Sequence, residues 1–75
     1  MITVKLFGLV RIETGIKELQ IEANNVRQLQ KSLTQHIPEE KIKGCVLLVN
    51  GKTANRFTKL NDGDQVMLMP PVAGG

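Results

Sequence analysis

The stretch from Gln65 to Gly75 carries no charged side chain and ends in Pro70-Pro71-Val72-Ala73-Gly74-Gly75. The chemistry such an ending can do belongs to its carboxylate. Proline has no N–H to give a neighbouring strand, and two in a row favour an extended polyproline path that leads away from a sheet. Six residues at roughly 3.3 Å each then reach up to about 20 Å. Val72 and Ala73 offer small apolar grip. Gly74 and Gly75 bring no side chains, so the α-carboxylate can enter a narrow slot in another protein. A carboxylate delivered in this way can be activated by ATP as an acyl-adenylate and then accept a sulfur or nitrogen nucleophile. Terminal glycines alone are weak evidence, since frayed ends are common. The preceding prolines and the uncharged approach distinguish this end.

The remaining reactive side chains are sparse. One Cys and one His exclude a disulfide framework and an intramolecular zinc site of Cys and His ligands, so no bound metal or cofactor is expected. Cys45 opens an apolar run and reads as a small buried hydrophobe, a persulfide relay being the alternative. His36 reads as a solvated residue near a helix end. Asp62-Gly63-Asp64 lacks the further ligands of a calcium loop and reads as a turn. No nucleophile–base pair is present, so the chain is not expected to be an enzyme by itself. Two Phe with no Tyr or Trp leave no stacking platform, and a net charge of +3 is too weak to imply nucleic acid. Lys41, Lys43, Lys52, Arg56 and Lys59 read as a solvated face, or as a rim that steers an acidic partner. No apolar run approaches a membrane span, and Met1-Ile2-Thr3-Val4-Lys5-Leu6 is no secretion signal. Together with the lone thiol, this places the expected compartment in the cytoplasm.

The elements that must position the tail follow from periodicity. With 75 residues, 41% apolar and 23% charged, the chain makes one small globular domain. Ile2, Val4 and Leu6 alternate with Thr3, Lys5 and Phe7, a half-buried strand interrupted at Gly8 by a bulge or bend. Leu9-Val10 continue it, and Arg11–Gly15 reads as a polar turn. Lys17–Glu22, with Leu19 and Ile21 inward, completes an antiparallel hairpin. Asn24 or Asn25 caps a helix whose face is Val26, Leu29, Leu33 and Ile37, ending near His36 before Pro38. Glu39–Gly44 reads as a charged connection. Cys45–Val49 reads as a strand covered on both faces, followed by a tight turn at Asn50-Gly51. Lys52–Asn61 is irregular, anchored by Phe57 and Leu60, and Val66–Met69 is the last strand.

The order β-β-α-β-(short β)-β is the β-grasp, or ubiquitin-like, plan: an α+β domain over residues 1–69, a mixed sheet with one main helix on one face, and a flexible tail over 70–75. If the first and last strands are neighbours, Phe7, Met67 and Met69 form an apolar patch beside the tail's root, able to dock a partner unless loops cover it.

The C-terminal residues Asp62-Gly63-Asp64-x-Val66 and Pro70 to Gly75 resemble the end of the molybdopterin synthase small subunit and related ubiquitin-like sulfur carriers. Val4-Lys5-Leu6-Phe7-Gly8, Arg11, Gly15 and Val49-Asn50-Gly51 are similar to that family's first strand and central turn. The resemblance implies that Gly75 is adenylated by an activating enzyme, which uses ATP, and becomes a thiocarboxylate. It further implies a tail, Pro70 to Gly74, that inserts into a synthase large subunit and donates sulfur to precursor Z. The free chain would be a monomer and the working form a hetero-oligomer, with no nucleic acid and no membrane involved. The thiamine-pathway carrier shares the fold and the Gly-Gly end. Thiamine, tRNA thiolation and tungsten-cofactor synthesis suit the same tail. Two rival classes are a protein modifier conjugated through Gly75 and a plain binding module.

Overall fold

The computed structural model describes residues 1–71. In chain order these residues form Ile2–Leu6 (β1), Gly8–Thr14 (α1), Glu18–Ile21 (β2), Val26–Leu33 (α2), Glu39–Lys43 (α3), Val46–Val49 (β3), Lys52–Thr53 (β4) and Gln65–Met69 (β5). The strands make a five-stranded mixed sheet in the order β2-β1-β5-β3-β4. β1 pairs antiparallel with β2 and parallel with β5, while β5 pairs antiparallel with β3. The expected α+β, β-grasp architecture is present, with first and last strands side by side.

The sheet has one wet and one dry face. Inward residues Ile2, Val4 and Leu6 of β1, Val66 and Leu68 of β5 and Leu47 of β3 are buried. They meet Val26, Leu29 and Leu33, one stripe of α2, together with Val10, Ile37, Ile42 and Leu60. Burying a Val, Leu or Ile side chain contributes roughly 1.5–3 kcal/mol, so this cluster is what offsets the chain's conformational entropy. α2 starts where Asn25, extended at φ −154°, accepts a hydrogen bond from the Gln28 N–H. Of the two candidate caps, Asn25 is the one used.

Four expectations need correction. Residues 8–14 form a helix, where a bulged strand and a polar turn were expected. The β-branched spacing of Val10, Ile12 and Thr14 imitates a strand, but only Val10 is buried, and Gly15 ends the helix in the left-handed region (φ 72°) with its N–H bonded to the Arg11 carbonyl. The charged connection contains the one-turn α3, which has Glu39 and Glu40 in its first turn, Lys43 at its end and Ile42 buried in the core. The regular part of α2 ends at Leu33, and turns carry the chain to a buried Ile37. Phe57 anchors nothing: it is 69% exposed under the Arg56 guanidinium, and the buried Leu60, with the partly buried Ala54, ties that loop to the core.

Candidate functional site

The last described residues, Pro70 and Pro71, leave β5 from the middle of the sheet. Val72, Ala73, Gly74 and the proposed reacting group on Gly75 lie outside the described residues, as does most of the expected 70–75 tail. What the structure defines is the platform from which the tail departs.

The platform is the outward face of β1, β5 and β3. Parallel register sets Lys5 beside Met67, and antiparallel register sets Leu48 beside Met67 and Val46 beside Met69. Phe7 is extended and donates its N–H to the Leu68 carbonyl at 3.0 Å, so it continues the alternation of β1 onto the same face. Phe7, Met67 and Met69, singled out in the sequence, are therefore brought together, each half-buried. Two further members, Val46 and Leu48, were concealed by the expectation that β3 is covered on both faces. In fact Val46 is 38% exposed and Leu48 is half-buried, because no layer packs on this side of the sheet among the described residues. The alternation within Cys45–Val49 was the available signal, but a run of five apolar residues hides a period of two. Thioether side chains in such a patch adapt to differently shaped partners.

Two further features meet the root of the tail. Gly8, at the start of α1 with φ +66°, lies against the Pro70 ring. An open groove of about 170 Å³ then runs between α1 and α3, lined by Leu9, Val10, Cys45, Pro70 and Pro71 among others. The Lys41–Glu13 ion pair ties the two helices together beside it. α1 also turns Leu9 and Ile12 to solvent, 62% and 77% exposed.

The remaining candidates are placed as follows. The Cys45 thiol is half-buried and donates to the Lys41 carbonyl at 3.1 Å. Burial pushes its pKa up, which keeps it a thiol and opposes nucleophilic use. Asp64 sits in the turn after Asn61: its carboxylate accepts the Asn61 N–H and the Asn50 side-chain N–H, and both hold its pKa below the usual carboxylate range. That is a turn's chemistry. His36 lies in the turn after α2. Among the described residues no group of three His, Cys, Asp or Glu could hold a metal ion, and no helix is long and apolar enough to cross a membrane.

Comparison with known proteins puts a family on this geometry. Among curated proteins no sequence matches. Solved structures do. The chain is 30% identical to a chain of the complex of subunits 1 and 2 of the molybdopterin-converting factor from Helicobacter pylori, with a TM-score of 0.74, covering 99% of this chain and 97% of that one. It is 28% identical to small archaeal modifier protein 1 from Methanosarcina acetivorans, with a TM-score of 0.83 and coverage of 99% and 95%. The BexX/CysO complex of Amycolatopsis orientalis shares the fold, at 20% identity, a TM-score of 0.79 and coverage of 100% of both chains. The ThiS family model matches residues 4–75, from the first strand through the terminal glycines, and the chain belongs to that family of ubiquitin-like sulfur carriers.

Proposed function

We propose that the chain is the sulfur-carrying small subunit of a molybdopterin-type synthase, working through the carboxylate of Gly75. An activating enzyme would join that carboxylate to the α-phosphorus of ATP, releasing pyrophosphate. A sulfur nucleophile would then replace AMP to leave a thiocarboxylate. The chain supplies reach, shape and the free carboxyl, while ATP and the catalytic groups belong to its partners. The observation that carries the reading is the apolar face of Phe7, Val46, Leu48, Met67 and Met69 at the root of a Pro-Pro-Val-Ala-Gly-Gly end. A docking surface and a threading tail then share one strand, β5. Likeness to subunit 1 or 2 of a two-subunit molybdopterin-converting factor supports a large-subunit partner.

The test is the intact mass of the chain after co-expression with its native activating enzyme. The expected result is the replacement of one oxygen by sulfur on the C-terminal peptide, abolished by deleting Gly75 or by adding one residue after it. An unchanged mass beside a demonstrably active activating enzyme overturns the reading. The sulfur-loaded chain, offered in turn to pterin, thiazole and tRNA-thiolating systems, identifies the acceptor. A second reading, conjugation of Gly75 to lysines of other proteins, is favoured by the likeness to small archaeal modifier protein 1. It predicts higher-mass conjugates in cell extracts that vanish when Gly75 is deleted.

A further inference from the structure

The tail's direction of departure is decided where Pro70 meets Gly8. A Cβ built on Gly8 would stand 2.7 Å from Pro70 Cγ and 2.9 Å from Pro70 Cδ, closer than real Cβ contacts come. The backbone beneath is fixed independently, because Phe7 donates its N–H to the Leu68 carbonyl at 3.0 Å and ties the end of β1 to the end of β5. Pro70 has a locked φ and no N–H of its own, so no ladder hydrogen bond from that residue holds the chain on course. How its ring seats is what remains, and it seats on a residue with no side chain.

We propose that Gly8 is a positioning residue for the carrier's reaction. By admitting the Pro70 ring against its backbone, it sets the direction in which Pro71 leaves the sheet. It thereby sets the approach of Gly75 to the enzymes that act on it. The proposal rests on the sulfur-carrier reading above and adds to it the feature that aims the tail. A merely conformational role for Gly8 gives a different expectation. Its φ of +66° strains any L side chain, and that strain would be indifferent to what occupies position 70.

A double-mutant cycle separates the two roles, using the full chain as wild type, Gly8→Ala, Pro70→Ala and Gly8→Ala/Pro70→Ala. Each is incubated with the native activating enzyme and its sulfur donor. The rate of thiocarboxylate formation is followed by intact mass, and thermal unfolding is recorded in parallel. Gly8→Ala is expected to lower kcat about 10- to 100-fold, the scale of an ångström-sized misplacement, with KM little changed because the docking face is intact. Once the ring is gone in Pro70→Ala, a Cβ at position 8 has nothing to displace, so the double variant is expected to load at about the rate of Pro70→Ala alone. The φ strain at position 8 persists in both variants that carry Gly8→Ala, so both should melt below the wild-type chain. Loading of Gly8→Ala at the wild-type rate overturns the proposal, and so does a double variant in which the two single losses simply multiply. Where Gly8→Ala does not fold, nuclear Overhauser contacts between Gly8 Hα and the Pro70 ring protons of the wild-type chain decide: their presence is expected, and their absence overturns the proposal. A wild-type chain that never gains sulfur overturns the carrier reading itself, and the proposal with it.

Discussion

Asn25 and Asp64 show what single side chains contribute here. Asn25 accepts the Gln28 N–H at 2.8 Å while the Gln28 side chain accepts the Asn24 N–H at 2.9 Å, so two N–H groups at the start of α2 are satisfied reciprocally. Asn25→Ala is expected to lower stability by about 1 kcal/mol, read as a shift of the urea midpoint at constant slope. In sequence Asn24 and Asn25 were equal candidates, since both can cap; only the chain's path into the helix separates them. Asp64 contributes to the acid dependence of stability. Its two hydrogen bonds favour the carboxylate and lower its folded-state pKa, so the stability it contributes is complete above the ordinary carboxylate range and is lost as the pH falls through the lowered value. Urea midpoints measured downward from neutral pH to below about 4 should fall, and Asp64→Asn should flatten that acid limb. For Cys45 the sign is opposite, because burial raises its pKa. Its alkylation should therefore titrate at higher pH than that of a free cysteine, and an alkylation midpoint below free cysteine would contradict the buried, carbonyl-bonded thiol.

At the scale of elements, legibility followed the amount of core each one carries. α2 was readable because Val26, Leu29 and Leu33 repeat at three and four and are all buried. α1 was not, because a seven-residue helix with one buried side chain has no apolar stripe to read. α3 likewise puts only Ile42 inward. Leu29 is fully buried, so Leu29→Ala is expected to cost about 2–5 kcal/mol, much of the stability of a domain this small. Chemical denaturation measures it. Met67 lies in the central strand β5 but faces outward, with Lys5 beside it in register. Met67→Glu would set a carboxylate next to that ammonium and is expected to change stability by less than about 1 kcal/mol. The same change places a charge in the middle of the apolar face. It should weaken binding to the activating enzyme by about 2 kcal/mol or more, the scale of an interface hot spot. Calorimetric titration tests it, and undiminished affinity would put the docking face elsewhere.

For the whole molecule, the architecture was legible where its functional site was only partly so. Strand order followed from the alternation of Ile2–Leu6 and Gln65–Met69 together with the β-grasp plan. The apolar platform spans three strands, and its third contribution, Val46 and Leu48, emerges only when β3 is laid beside β5. No contact at Gly8 could be foreseen, since a glycine in a strand-like segment reads as a bulge, while its collision partner lies more than sixty residues away at Pro70. The same long span has a consequence for how the protein is made. β5 occupies the middle of the sheet, its register joining Thr3 to Gln65, yet it is synthesised long after β1. A growing chain cannot complete its sheet until β5 has emerged, so until then the edge of β1 that β5 will occupy has no partner. A chain stopped at Asp64 is expected to show no cooperative thermal transition by circular dichroism. The docking face and the strand that carries the root of the tail therefore form in one step, so a copy that presents the one presents the other.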